Sequence, residues 1–455
     1  MTRRDFLNVA AASVLLPPSG YRSLSASEGR EWVTTGHWFS ELASFDDAMR
    51  NFMQARSISG ATLAVTRRGR LVLARGYTYR HDDRDIVVQP VSLFRVASLS
   101  KPITAAALLG LAQEGRLDIH ERVADLLTLA TPPGRRPDPR LRNVTVLNLL
   151  QHLGGWDRHL AFDPMFHDHG IAEALGVPLP ISKADIARYM TGQPLQHQPG
   201  TIYAYSNYGY SLLGRIIERI VGTPYIDYVQ RRVLHPLNVA RMPLGRTLPH
   251  LRRWGEVKYY TQYQGLTVMD NSRLRVSAPY GAFNLENMDA HGGWLASAVD
   301  LARFAATFDD PSSSPILDQE SIGIMFGLPE HIDPDSYVPG KYYYGCGWLV
   351  RDLGIGRRNT WHVGSLPGSY CLLVRRWDGV NWCALFNRRD DPSGLTYHGI
   401  DGSLHAAADA VSDWPAHDLF DEYLPAATCT GLTAEKWEKC RKETLVQWKM
   451  RHVLF

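Results

Sequence analysis

The sequence predicts a mixed α/β fold of the α+β kind: an antiparallel sheet flanked by helices, with an all-helical lobe beside it. Three observations predict it. An apolar-alternating run, Ala61 to Thr66, is followed by an Arg68-Gly69 turn and a second run, Leu71 to Gly76, the pattern of a β-hairpin. Strand patterns return from Tyr342 onward, in Tyr344 to Arg351, Thr360 to Val363, Ser369 to Arg376 and Trp382 to Asn387. Between these ends, roughly from Ala124 to Ala240, helical periodicity dominates. Strands at both ends around a helical insertion, about residues 124–300, place both ends of the chain in one sheet.

In chain order, the opening MTRRDFLNVAAASVLLPPSG carries a paired arginine, Arg3-Arg4, and a short apolar run, Val9 to Leu16. This is the pattern of a bacterial twin-arginine export signal ending near residue 26. The run is far shorter than the ~20 residues of a spanning helix. A helix is expected from Phe45 to Arg56. A strongly apolar one follows over Pro102 to Glu114, stopped by Gly115. Val146 to His152 and Tyr210 to Val221 read as lobe helices, separated by joints such as Gln198-Pro199-Gly200. A last helix is expected from His405 to Val411. Within the C-terminal tail 416–455, the stretch from Thr428, Lys-rich with Trp437 and Trp448, reads as an amphipathic terminal helix.

Composition narrows the function classes. The chain has 455 residues, 45% hydrophobic and 21% charged, which suits a globular protein and neither a disordered nor a multi-span one. A net charge of +3 without like-charge runs argues against a nucleic-acid footprint or a polybasic membrane anchor. The five cysteines, Cys346, Cys371, Cys383, Cys429 and Cys440, form no CxxC pair, which excludes a zinc ribbon. His167-Asp168-His169 lacks further ligands at recognisable spacing, so neither a metal nor a cofactor is expected.

Three short motifs carry chemistry. In FRVASLSK, Lys101 lies one helical turn beyond Ser98, on the same face. An amine there can take the serine proton, and the helix N-terminus favours developing negative charge. Alone, the spacing equally describes a capping serine with a solvated lysine. In Tyr205-Ser206-Asn207, the phenol is a second proton-transfer candidate, its pKa lowered by a nearby cation. Asn207 offers an amide to hold Lys101 or a substrate carbonyl; a polar turn before a helix would look the same. In Trp361-His362-Val363-Gly364-Ser365, Gly364 permits close backbone approach. The Ser365 N–H could then join that of Ser98 as an oxyanion hole, the plain alternative being a strand that turns at a histidine.

The order SxxK, YxN, HxG brackets the helical middle. With ATLAVTRRGRLVLARGY, TVLNLLQHLGGWD and HGGWLASAVDLARF, it makes the chain resemble the serine β-lactamase and penicillin-binding-protein superfamily over about residues 40–415. The resemblance is strongest to the class C-like branch, which includes family VIII carboxylesterases, DD-peptidases and D-aminopeptidases. It implies Ser98 as nucleophile, Lys101 and Tyr205 as the general-base network and Asn207 as their support. It also implies that His362 lines the cleft and that the Ser98 and Ser365 amides form the oxyanion hole. The tail loosely resembles the start of a repeat appended to some superfamily proteins, including polyglycine hydrolases.

The departures are informative. Where β-lactamases of this group commonly have Lys-Thr-Gly, this chain has His362-Val363-Gly364. Histidine is mostly neutral at pH 7, and valine lacks the threonine hydroxyl, so a substrate carboxylate should bind poorly. A carboxylesterase acting on small uncharged ester or amide substrates is therefore expected. The alternatives are a DD-peptidase, D-aminopeptidase or β-lactamase-like enzyme, and a catalytically silent binding or sensor protein on the same fold. GxSxG is absent, so an α/β-hydrolase elbow is excluded.

Overall fold

A computed structural model describes residues 32–79 and 87–423; the expected export signal, Cys429, Cys440 and the tail beyond 423 lie outside them. The main sheet has eight strands: β1 (Trp32–Thr35), β2 (Gly60–Arg67), β3 (Arg70–Tyr79), β4 (Tyr342–Tyr344), β5 (Leu349–Asp352), β6 (Arg358–Leu366), β7 (Ser369–Arg375) and β8 (Val380–Phe386). Their order is β1-β3-β2-β8-β7-β6-β5-β4, and every neighbouring pair is antiparallel. The sheet is thus closed in its middle by β2 against β8, strands from opposite ends of the chain.

Side-chain alternation builds the two faces. On β7, Tyr370, Leu372 and Val374 join a core with α1 (Ala43–Ala55), while Cys371 and Leu373 face the larger core beneath the lobe. The β2–β3 turn has Arg68 and Gly69 both at positive φ, +48° and +79°, which matches the twist of the flanking strands. Helix α2 (Ser100–Gln113) is buried from Ser100 through Leu111, which is why its sequence is apolar on every side. The middle of the chain contributes α3 (Asn207–Val221) and α4 (Ala298–Ala306), the second of which lies against β2, β3, β7 and β8.

Some boundaries differ from expectation. Tyr344 to Arg351 is a hairpin, β4 and β5, rather than one strand. Gly345 N–H bonds to the Trp348 carbonyl at 2.8 Å, and Gly347 has φ +82°. Its missing Cβ would lie 3.0 Å from the Lys101 carbonyl, so the turn is pressed against the start of α2. The helix expected from His405, α5 (Gly399–Asp409), begins six residues earlier, its start obscured by Gly399 and Gly402, and a short helix, Phe420–Tyr423, follows it. The middle is not purely helical: a small hairpin, Gln264–Leu266 with Arg275–Ser277, interrupts it. Among the described residues no helix is long and apolar enough to cross a membrane.

Candidate active site

Ser98 sits in a short 3-10 turn, Ala97–Leu99, that runs directly into α2. The approach is fixed on one side by pairing of Phe94–Arg95 with Leu295–Ala296, and by the Val96 N–H to Trp294 carbonyl bond at 3.1 Å. Ala97 has φ +49°, a conformation that costs an L-residue ~1–2 kcal/mol. Backbone strain of this kind concentrates at functional sites. The Ser100 hydroxyl, bonded to the Ala97 carbonyl at 2.7 Å, helps hold it. Ser98 itself remains partly exposed while its neighbours Leu99, Ser100 and Lys101 are buried.

Lys101 is fully buried, and its Nζ has three partners: Ser98 Oγ at 3.1 Å, Asn207 Oδ1 at 2.8 Å and the His291 carbonyl at 3.0 Å. Burial pushes its pKa well down; the Arg158 charge adds to this and Asp163 opposes it. A neutral amine has two N–H donors and one lone pair. Two partners, an amide oxygen and a carbonyl, can only accept. They take the two donors and leave the lone pair for the Ser98 hydroxyl proton. The protonated amine can donate to all three, so both states of a general base are accommodated.

Tyr205 and Asn207 flank Ser206, whose hydroxyl caps α3 by accepting the Gly209 N–H at 3.1 Å. The Tyr205 ring lies 4.7 Å from Lys101 Nζ. Its pKa is raised, not lowered as expected from the sequence: burial outweighs the opposing hydrogen bond with Ser98 and the Arg158 charge. With Lys101 held toward its neutral form, a resident phenolate gains little from it. Tyr205 is therefore a neutral phenol at rest.

His362 is buried on β6, and its tautomer follows from its partners. Nδ1 must donate to the Val363 carbonyl at 2.8 Å, so Nε2 accepts from the Tyr344 hydroxyl at 2.9 Å. Burial, then the nearby Lys101, push its pKa down to about 3. The imidazole is neutral, with its N–H directed to the backbone. Val363 does not occupy the cleft in place of a threonine; it packs against the core on the opposite face, as strand alternation requires. Gly364 brings β6 against the Ser98 turn, for a Cβ there would come within 2.1 Å of the Val96 carbonyl oxygen. The β5–β6 ladder ends at Trp361, so the backbone from His362 through Ser365 has no strand partner on that side.

The structure adds residues that sequence reasoning left unassigned. His152, inside the quoted TVLNLLQHLGGWD stretch, accepts the Ser206 N–H on Nδ1 at 3.1 Å, and its ring packs 4.2 Å from Tyr205 and 4.4 Å from Tyr344. Burial pushes its pKa well down. Asp163 accepts from Asn207 Nδ2 at 2.6 Å, and Arg158 lies over the Tyr205 ring at 4.7 Å. Only the Asp163-Pro164 helix-start signal marked this segment in the sequence. His167 packs against Phe162 and Tyr189 instead of gathering ligands, and no group of three or more potential metal-binding side chains occurs among the described residues.

Comparison with known proteins places this arrangement. The Beta-lactamase family model matches residues 45–400. Protein Rv1367c of Mycobacterium tuberculosis (strain ATCC 25618 / H37Rv) is 30% identical over 411 residues, 81% of this chain and 93% of that protein. Protein flp of Staphylococcus aureus (strain COL) is 25% identical over 213 residues, 44% of this chain but only 38% of flp. Among solved structures, the octameric penicillin-binding protein homologue from Pyrococcus abyssi superposes with a TM-score of 0.59 at 24% identity, covering 85% of this chain and 79% of its own. D-amino acid amidase from Ochrobactrum anthropi SV3 gives 0.58 at 23% identity, covering 82% and 100%. At those identities the structural likeness speaks for the fold.

Proposed function

We propose, from the premise that this chain belongs to the Beta-lactamase family, that it is a serine hydrolase working through an acyl-enzyme, a carboxylesterase acting on small uncharged esters. The observation that carries the reading is the Lys101 amine 3.1 Å from Ser98 Oγ, with its other two partners restricted to accepting. Ser98 Oγ attacks the substrate carbonyl as its proton passes to Lys101, and the Ser98 and Ser365 N–H groups receive the developing oxyanion. Tyr205, whose ring lies 4.7 Å from Lys101 Nζ, relays the proton to the leaving alkoxide. Water then repeats the sequence on the acyl-enzyme and releases the acid. The neutral His362 on the strand wall supports uncharged substrates, because it offers no fixed charge to a carboxylate. We further propose that residues 1–26 direct export and that residues 40–415 form one catalytic unit.

The test is hydrolysis of nitrophenyl butyrate by wild type, Ser98→Ala and Lys101→Met, alongside a D-Ala-D-Ala peptide and a chromogenic cephalosporin. Each variant should lose ~10³-fold or more of wild-type turnover. Faster turnover of the peptide or the cephalosporin than of the ester would overturn the esterase reading. Absence of fluorophosphonate labelling at Ser98 would overturn the hydrolase reading altogether.

A further inference from the structure

Two charged side chains of the lobe, Arg158 and Asp163, border the cleft without belonging to any of the three motifs. Each is 12% exposed, and they face each other at 3.7 Å. Asp163 is anchored by its own Oδ1, which accepts the Met165 N–H at 3.1 Å. Its Oδ2 accepts from Asn207 Nδ2. A carboxylate can only accept, so the amide nitrogen must point to Asp163, which turns Oδ1 toward Lys101. Arg158 is held differently. Its Nε is buried with no hydrogen-bond partner, and the guanidinium keeps its place by stacking on Tyr205 and by the ion pair.

We propose that Asp163 and Arg158 are positioning residues of this cleft: Asp163 sets which end of the Asn207 amide meets Lys101, and Arg158, stacked on Tyr205, puts the fixed positive charge on the lobe wall. The proposal rests on the serine-hydrolase reading above. Lys101 is also faced by the Tyr205 and Tyr210 rings and influences His152, His291 and His362. Burial holds all three imidazoles neutral, so none adds charge near neutral pH. That leaves the ion pair, whose two members act on Lys101 with opposite signs: Arg158 favours the free amine and Asp163 the ammonium.

The opposite signs make the test. In the full-length protein, the acidic limb of kcat/KM for nitrophenyl butyrate reports deprotonation of the base in the free enzyme. Arg158→Gln should move that limb up by ~1 pH unit, and Asp163→Asn should move it down by a similar amount. Arg158→Lys, which keeps the charge, should restore the limb to near its wild-type position. Asp163→Ala removes the acceptor that asparagine retains, and should be about tenfold slower than Asp163→Asn even on the pH plateau. Limbs that stay put, or shift together in one direction, would overturn the charge assignment; equal plateaus for the two Asp163 variants would overturn the amide assignment. Should Arg158→Gln fail to fold, Asp163→Asn decides alone, by a limb that moves down or does not. Wild type that reacts with a fluorophosphonate while these limbs are unmoved sinks only this proposal; wild type that does not react sinks the underlying reading.

Discussion

The two walls of the Ser98 cleft are built on different physics. The lobe wall is ionic and hydrogen-bonded: Lys101 meets Asn207, Asn207 meets Asp163, and Arg158 pairs with Asp163 over the Tyr205 ring. The strand wall is neutral: His362 is buried, accepts from Tyr344 and directs its N–H to the Val363 carbonyl. On the proposed mechanism, the difference separates two tasks within one cleft. Proton transfer needs groups whose charge can change, and these sit where neighbouring charges bias them. Stabilising an oxyanion needs backbone donors held still, and β6 has a backbone edge pressed against the Ser98 turn.

Substitutions on either wall put that contrast to the test. Tyr205→Phe, on the lobe wall, removes the relay and should lower kcat/KM for a nitrophenyl ester by ~10²–10⁴-fold with the melting temperature nearly unchanged. A loss under tenfold would take Tyr205 out of the chemistry. Gly364→Ala, on the strand wall, forces β6 away from the Val96 carbonyl. Turnover should fall by about 10²-fold, the scale of one lost oxyanion donor, with a measurable drop in melting temperature. If activity survives that substitution, Ser365 N–H is not in the oxyanion hole. His362→Gln should change turnover by less than about tenfold and leave the acidic limb where it is, because the imidazole stays neutral across the pH range of that limb. A shifted limb would make the strand wall part of the proton relay.

The smallest effect concerns stability and has a defined sign. Burial lowers the folded-state pKa of His362 to about 3, against ~6.5 unfolded. Between these values the unfolded chain binds the extra proton, so this group's contribution is intact above pH ~6.5 and is lost as pH falls toward 3. His152 and His291 act in the same direction. Thermal melts should therefore show stability falling below pH ~6.5, and His362→Gln should reduce that slope. A slope unchanged by the substitution would show that His362 is not neutral in the folded protein.

Much of this was legible in the sequence because it is local. An alternating run and a two-residue turn foretold the β2–β3 hairpin, apolar strand-favouring runs foretold β6 to β8, and an all-apolar run foretold α2. Serine and lysine three residues apart on a helix meet wherever that helix sits, so the Ser98–Lys101 contact required no tertiary knowledge. Tyr344 to Arg351 read as one strand although Gly345 and Gly347 interrupt it; the structure makes a turn there, with Gly347 pressed against the start of α2.

The remainder depended on distance in sequence. Asn207 was legible as a polar neighbour, but the orientation of its amide is set by Asp163, 44 residues earlier. The direction of the Tyr205 pKa could not be read from a nearby cation, because burial by the assembled lobe outweighs it. Val363 was expected in the cleft until the pairing of β6 with β7 assigned it to the other face. By itself the sequence determined which groups the protein carries and which of them are neighbours within a turn or a strand. Only the tertiary structure decided which are charged and which way each points, since desolvation and hydrogen-bond direction are properties of the packed surroundings.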